Sequence, residues 1–547
     1  MRELSLRGFA SRAAARRWAV LVASWLLSLS ALAVPPGVVL AEEPLHVQIL
    51  AINDFHGQLE SRMVSGRPMG GAAVLAAYLE ARAQQAREQD GAVTIKVHVG
   101  DVIGASPPIS ALLQDEPTLT VLETMGFEYG TVGNHELDEG IRELLRLQYG
   151  GCHPATGCYD GTRIQYLAAN VVWADTQEPV LPPYAIRWVQ GVPIGFIGVI
   201  TKVTPTIVTA SGVQGLAFLD EVETVNRYVQ ELKRQGVETI VVLIHEGGTG
   251  SRDGQVSGAI VPLVFGMDDE VDVVLSAHSH QCYQGLVGSK LVTQACSSGT
   301  ALADVDLVID RTYKDVIAKR AEIVDTVVDA PGIVPDPVIQ GLVERYAQQV
   351  APRVQRVIAT ADGRLVRQQS EAGESPLGNL IADAQRWRMG VPIAFMNPGG
   401  IRADLEAGEL TWGELYTVQP FNNYLVAMTL TGEQIERLLE QQWIDQPSPR
   451  MLQIAGLRYT WHAERPVGDR VDPEEIFLED GTPVRPDGRY RVVVNSFLAD
   501  GGDNFTVLRE GTERVVGPID LDAFVEYLQQ LPQPVSARIE GRIRRVP

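Results

Sequence analysis

Five short polar clusters carry the residue types that bind hydrolytic metal ions. They are Asp54-Phe55-His56, Gly100-Asp101, Gly133-Asn134-His135-Glu136, His245-Glu246 and Ala277-His278-Ser279-His280. Each follows an apolar run of strand length, at residues 47–52, 94–99, 129–132, 239–244 and 271–276. In open α/β sheets, ligands gather beyond the carboxyl ends of the strands. The chain has nine histidines and five fall in these clusters, which argues for one shared centre. Imidazole with Asp and Asn, and no thiolate, suits zinc, manganese, iron or cobalt. Two such cations about 3.5–4 Å apart acidify a water and clamp the oxygens of a phosphoryl group.

Taken singly, most of these clusters have a plainer reading. Asp54 and His56 share one face of an extended strand by their spacing of two, yet such a pair also ends ordinary strands in solvent. Gly100-Asp101 is a common dipeptide, and a lone His245 after an apolar strand is more often a core histidine. Gly133-Asn134-His135-Glu136-Leu137-Asp138 is far more specific. His46, His98, His153 and His462 lie outside the clusters and are assigned no role.

In this order the clusters resemble the calcineurin-like metallophosphoesterases, whose pattern is D-x-H, G-D, G-N-H-E/D, H and G-H-x-H. Ala277 stands where the last motif usually has glycine. The resemblance implies Asp54, His56 and His280 on one divalent ion, Asn134, His245 and His278 on a second, and Asp101 bridging them. It implies attack on phosphorus by a metal-bridging hydroxide. His135, oriented by Asp138, would stabilise charge or assist the leaving oxygen rather than bind metal.

A metal centre does not choose a substrate, so specificity must come from other segments. Candidates are Gly378-Asn379-Leu380, Asn397-Pro398-Gly399-Gly400-Ile401-Arg402, Gln419-Pro420-Phe421-Asn422-Asn423 and the run Asn495-Ser496-Phe497-Leu498-Ala499-Asp500-Gly501-Gly502-Asp503. Each also reads as ordinary turn chemistry or core. Arg402 offers a planar fork suited to phosphate. Phe421 and Phe497 could flank a base, a contact worth about 1–3 kcal/mol per base. Asp503 could accept hydrogen bonds from ribose hydroxyls.

This half resembles the C-terminal domain of secreted bacterial 5′-nucleotidases, the family containing UDP-sugar hydrolase. Together the two resemblances cover nearly all of the chain after residue 41. They imply base stacking by Phe421 and Phe497, ribose binding by Asp503, and ribose or phosphate binding by Asn397 and Arg402. Pro398 replaces a common glycine and removes one N–H donor. Arg367 is the nearest equivalent of the further phosphate-binding arginines that often precede the Gly-Asn segment. The expected activity is metal-dependent hydrolysis of nucleoside 5′-phosphates, extending to nucleotide sugars or di- and triphosphates, with two divalent ions as cofactors (Zn, Mn, Co or Fe). The string Asn53-Asp54-Phe55-His56-Gly57 favours the 5′-nucleotidase branch. A 2′,3′-cyclic-nucleotide 2′-phosphodiesterase/3′-nucleotidase stays as the nearest alternative, and a thiosulfohydrolase of sulfur oxidation as a more distant one. A non-catalytic secreted binding module is the alternative from another class.

The elements that must position these residues follow from periodicity. Apolar strands alternate with amphipathic helices over residues 45–327, which predicts an α/β domain. Helices are expected at 71–88 and 220–235, where Val222, Val225, Val229 and Leu232 recur at helical spacing. The resemblance makes this domain a four-layer α/β/β/α sandwich. Pro331, Pro335 and Pro337 then punctuate the chain, and a helix at 338–350 is expected to stop before Pro352, giving an interdomain linker and helix at 328–354. Residues 355–547 follow as a smaller α+β domain, with helices at 377–387 and 431–443 and strands at 393–396 and 489–494.

A chain of 547 residues is too long for one core. Its 45% hydrophobic and 21% charged content is ordinary for a globular protein. Residues 1–41 differ: Arg2, Arg7, Arg12, Arg16 and Arg17 precede an apolar run at 18–34, and Val39-Leu40-Ala41 offers a small-residue exit. This reads as a signal peptide and a periplasmic or secreted protein, with no stable membrane span after cleavage. Losing its five Arg and one Glu moves the net charge from −22 to −26, which argues against a nucleic-acid polymer as partner. A small nucleotide is the expected ligand, and no protein partner is expected. Four cysteines allow three connectivities; proximity favours Cys152 with Cys158 and Cys282 with Cys296, a pairing that export permits, with two free buried pairs as the alternative.

Overall fold

A computed structural model describes residues 43–547, and the expected signal peptide lies outside the described residues. Twelve strands of the first half form two sheets. They are β1 (Leu45–Ile52), β2 (Val93–His98), β3 (Phe127–Thr131), β4 (Gln165–Leu167), β5 (Tyr184–Val189), β6 (Val192–Ile200), β7 (Thr239–His245), β8 (Val271–Ser276), β9 (Cys282–Val287), β10 (Lys290–Ala295), β11 (Ala301–Asp310) and β12 (Asp315–Asp325). The first sheet has the order β12-β11-β1-β2-β3-β4, the second β5-β6-β7-β8-β10-β9. β1, β2 and β3 run parallel, as do β6, β7 and β8. β7, Thr-Ile-Val-Val-Leu-Ile-His, is buried along its whole length. That is how a central parallel strand covered on both faces reads. At the edge, β12 alternates and is mostly exposed.

Four layers result, as the resemblance implies. Val47, Ile49, Val97, Val305 and Leu307 of the first sheet meet Phe196, Val241, Leu243, Val273 and Leu275 of the second in one core between them. Helix α1 (Ala72–Asp90) covers the outer face of the first sheet through Leu75, Leu79 and Ala83. Helix α2 (Glu221–Arg234) covers the outer face of the second through Val225, Val229 and Leu232. Asp220 caps α2 by accepting from Val222 and Glu223 N–H, which starts the helix where the spacing placed it.

The connecting helix α3 (Pro337–Val354) is longer than the sequence suggests. Pro352 does not stop it: it lies inside the last turn, where it forfeits one N–H bond to the turn before and only two helical residues follow. Asp336 caps its start, with Pro337 at the first turn, where a missing N–H is harmless. Ile339, Val343 and Val350 bury into the same core as α1, while Arg353 lies over the Trp412 ring at 4.1 Å.

The second half holds a five-stranded sheet. Its strands are β13 (Ile393–Met396), β14 (Tyr424–Thr431), β15 (Gln453–Ala455), β16 (Arg489–Asn495) and β17 (Thr512–Ile519), in the order β15-β13-β16-β14-β17. Helices α4 (Pro376–Met389), α5 (Gly432–Glu440) and α6 (Asp520–Gln530) accompany it. Among the described residues no helix is long and apolar enough to cross a membrane.

Asp520, in the first turn of α6, is 3% exposed. Burial pushes it up to about 7, against the pull of the Leu521 N–H it accepts. A carboxylate raised above its unfolded value near 3.9 binds more protons folded than unfolded. Its stability contribution is therefore whole at pH 4 and lost as pH rises toward 7. Asp520→Asn keeps the acceptor for Leu521 and is expected to gain on the order of 1–4 kcal/mol at pH 8 over wild type. The gain should vanish near pH 4, as denaturant titration at the two pH values would read.

Candidate metal centre and the adjoining cavity

The five clusters converge where the carboxyl ends of β1, β2 and β3 in one sheet face those of β7 and β8 in the other. Asp54 and His56 follow β1, Asp101 follows β2, Asn134 and His135 follow β3, His245 ends β7, and His278 and His280 follow β8. Strand alternation does not aim them. Asp54, His56, Asp101, His278 and His280 all have positive φ, between 48° and 69°. The chain turns left-handed as it leaves β1, β2 and β8, and five L residues hold a costly conformation at one place. Such strain persists only where the surroundings over-determine it, and it concentrates at functional sites.

Three groups of ligand atoms each lie within 4.8 Å of one another: Asp54, His56 and His280; His56, Asp101 and His135; and Asp101, His245 and His278. His56 Nε2 and His280 Nε2 are 3.2 Å apart. Asp101 Oδ2 is 3.1 Å from His245 Nε2 and 3.9 Å from His56 Nε2, so Asp101 stands between the outer groups. The far nitrogens of two imidazoles are anchored on backbone oxygens, His56 Nδ1 on Gly104 at 2.9 Å and His245 Nδ1 on Val99 at 2.8 Å. This second contact fixes ring orientation in metal-binding histidines. Asn134 Oδ1 is buried and carries no hydrogen bond. A buried polar atom without a partner is rare and calls for a bound ligand or a catalytic role. The donor set and this orphan atom fit divalent cations.

The electrostatics agree. Burial opposes ionisation of Asp101, yet His245, then His135 and His56, hold its carboxyl well below the usual range. Asp54 is likewise lowered against burial, chiefly by His280. Burial drives His56 well down, and burial with His245 takes His278 to about 4. Neutral imidazoles present the lone pair a metal requires. Against its burial, His245 is pushed up to about 10 by Asp101 and then Asp54, a measure of negative charge that a cation would answer.

Two glycines let the loops approach. A Cβ at Gly133 would collide with Asp101 and with His245, and one at Gly100 would sit 2.6 Å from Gly133 N. Glu136, 3% exposed, accepts from the N–H groups of Asp101 (2.8 Å), Val102 (2.9 Å) and Gly133 (2.6 Å), so it braces both loops. Burial and the nearby Asp101 raise it to about 7. The residue stands in the Gly-Asn-His-Glu string, but its role is invisible until the loops it joins are seen together. His135 Nδ1 lies 2.8 Å from Asp138 Oδ2. Burial opposes protonation of His135, while Asp138 and then Asp101 raise it.

A cavity of about 240 Å³ opens beside the centre. Its wall joins Asn134, His135, Asp138 and His278 of the first half to Asn397, Arg402, Phe421, Phe497 and Asp503 of the second. The structure thus brings together the five residues that the resemblance assigns to substrate, whereas Gly378-Asn379-Leu380 is buried in α4 and does not line the cavity. The Phe421 ring stacks on His135, with centroids 5.7 Å apart and planes at 15°. Phe497 stands on a single helical turn, Ser496–Ala499, rather than on a loop. Asn397 Nδ2 donates to Asp503 Oδ2 at 2.9 Å, and Asn495 Nδ2 to Asn397 Oδ1 at 2.9 Å. Arg402 has no carboxylate partner among the described residues; burial, then Arg367, push its guanidinium down. Sequence reasoning missed Arg450, which lines the cavity and pairs with Asp503 Oδ1. It sits in Gln446-Pro447-Ser448-Pro449-Arg450, which carries no signal beyond a loop. Ile207, Val208 and Thr209 of the first half also line the wall and were likewise missed.

Fold and site define a phosphoric ester hydrolase. The calcineurin-like phosphoesterase family matches residues 47–282, and the 5′-nucleotidase C-terminal domain matches residues 357–510. The chain is 38% identical to the Endonuclease YhcR of Bacillus subtilis over 92% of its own length, but spans only 41% of that protein. It is 34% identical to the Cell wall protein Lmo0130 of Listeria monocytogenes, covering 92% of this chain and 70% of that one. The solved 5′-nucleotidase precursor from Thermus thermophilus is 30% identical with a TM-score of 0.77, over 92% of this chain and 99% of that one. The chain belongs to the 5′-nucleotidase family of calcineurin-like phosphoesterases. Membership implies divalent metal ions, and the His and Asp groups above are the ones that could hold them.

Proposed function

We propose that the protein hydrolyses nucleoside 5′-phosphates to nucleoside and phosphate. The observation that carries this reading is the single cavity that places Phe421, Phe497 and Asp503 beside His135 and the metal-ligand cluster. Asp54, His56 and His280 would hold one divalent ion, Asn134, His245 and His278 a second, with Asp101 shared. When bound, such ions acidify water and neutralise phosphoryl charge; zinc, manganese, cobalt and iron all suit the donors.

The chain's own residues do the rest. Arg402 meets the phosphate with an unpaired planar fork. Asp503, steadied by Asn397 and Arg450, accepts from the ribose hydroxyls, and the two phenylalanines hold the base. His135 donates a proton from Nε2 to the departing 5′ oxygen while Asp138 accepts from Nδ1–H, fixing the tautomer. Residues 45–327 form the catalytic domain and 355–547 the substrate domain, with 328–354 between them. Two disulfides and the basic-then-apolar start of the chain support export to the periplasm or beyond.

Phosphate release from AMP, UDP-glucose, 2′,3′-cyclic AMP and 3′-AMP, with each divalent ion in turn, tests the reading. AMP should give the highest kcat/KM. Phe421→Ala and Phe497→Ala should each lower it by about 5- to 150-fold, the equivalent of about 1–3 kcal/mol of stacking, while glycerol 2-phosphate hydrolysis stays unchanged. Preference for the cyclic substrate would replace the 5′-nucleotidase reading. Failure on all four with ions bound would leave a non-catalytic binder.

A further inference from the structure

Asp54 is held more closely than any other ligand candidate. Both its oxygens accept from His278 N–H at 3.1 Å, and Oδ2 also accepts from Asn53 Nδ2 at 2.6 Å. Asn53 is 3% exposed and is itself saturated. Its Oδ1 accepts from Ala295 N–H at 2.8 Å, and its Nδ2 donates to the Cys296 carbonyl at 2.7 Å. Ser298 N–H donates to the Asp54 carbonyl at 2.7 Å. Ala295, the last residue of β10, and Cys296 and Ser298 of the turn after it therefore grip residues 53 and 54. That turn is not relaxed. Cys296 and Ser298 both have φ of +56°, a conformation L residues keep only when neighbours impose it. At Cys296 the neighbour is covalent: its sulfur is bonded to Cys282, the first residue of β9, two positions after His280. The Cys296 N–H also donates to Gln281 O at 3.0 Å.

We propose that the Cys282–Cys296 crosslink and Asn53 are positioning elements for one metal ion, holding Asp54 in register with His280 so that losing either weakens the Asp54–His56–His280 site selectively. The inference rests on reading that triad as a metal site. The chain carries its own control. Cys152–Cys158 joins two short strands, Gly151–His153 and Gly157–Tyr159, and no hydrogen bond of that hairpin reaches a ligand candidate.

The test is titration of the metal-free, signal-less protein with Mn²⁺ alone, reading stoichiometry and affinity by equilibrium dialysis. Wild type and Cys152→Ser/Cys158→Ser should bind two ions. Cys282→Ser/Cys296→Ser and Asn53→Ala should keep one at wild-type affinity and bind the other about 10- to 100-fold more weakly, the range for partners that orient metal ligands. Thermal unfolding of each apoprotein reports whether it folds. If the Cys282→Ser/Cys296→Ser protein does not, treating folded Cys152→Ser/Cys158→Ser protein with dithiothreitol leaves one disulfide to reduce and gives the same reading. Two ions at unchanged affinity in a folded, uncrosslinked protein would overturn the proposal, as would equal weakening of both. Wild type that binds no Mn²⁺ would instead overturn the metal reading itself, which sets the two failures apart.

Discussion

Asp101→Ala protein is expected to fold, to retain neither divalent ion, and to lose phosphoester hydrolysis by more than about 10³-fold, or roughly 4 kcal/mol of transition-state stabilisation. The size follows from position. Asp101 belongs to two of the three ligand groups, with one oxygen 3.1 Å from His245 Nε2 and 3.9 Å from His56 Nε2. Its other oxygen accepts from His135 N–H at 2.8 Å, so the same side chain also sets the backbone at His135. Removing one peripheral ligand leaves each ion most of its donors. Removing the shared one takes a donor from both and leaves several buried imidazoles facing one another without the carboxylate that balances them. Elemental analysis after dialysis, beside circular dichroism, separates metal loss from unfolding. A folded, metal-free Asp101→Ala protein with wild-type turnover would end the two-ion mechanism.

The convergence of the candidate ligands was legible in the sequence because each candidate stands at the end of an apolar run, and such runs are what parallel strands buried on both faces look like. The disulfide pairing was legible for a similar reason, since the partners are close in the chain. The geometry that aims the ligands was not. Spacing of two suggested strand faces for Asp54 with His56 and for His278 with His280, whereas the backbone turns left-handed at all four. An L residue in that conformation has no sequence signature; only Gly, Asn and Asp favour it at all. Pro352 misled in the opposite direction: it forfeits one N–H bond near the helix end, and the helix carries that loss for two more residues. Arg450 was hidden because its partner, Asp503, is 53 residues away, and Gln446-Pro447-Ser448-Pro449 gives no reason to look there. The cavity itself needed both halves: the part of its wall formed by Ile207, Val208 and Thr209 carries no signal until Phe497 and Asp503 are set across from it.

Glu136→Ala should be the most destabilising single change at the centre short of the ligands, by about 3–5 kcal/mol. The carboxylate touches no candidate ion, yet it accepts from three buried backbone N–H groups, at Asp101, Val102 and Gly133. Those groups sit where two loops leave β2 and β3 and cannot bond in either sheet. Alanine strands all three, at about 1–3 kcal/mol for each buried donor left unpaired, partly offset by water entering the space. Glutamine is the sharper probe. It keeps the volume and one good acceptor but turns an N–H toward donors, so Glu136→Gln should recover only part of the loss. Since Asp101 and Gly133 are the residues displaced, metal affinity should fall along with stability in both variants, although no ligand has been touched. Denaturant titration of the apoprotein and Mn²⁺ titration of the folded fraction measure the two losses separately. Stability lost with metal affinity unchanged would mean that Glu136 supports the fold without setting the ligand geometry.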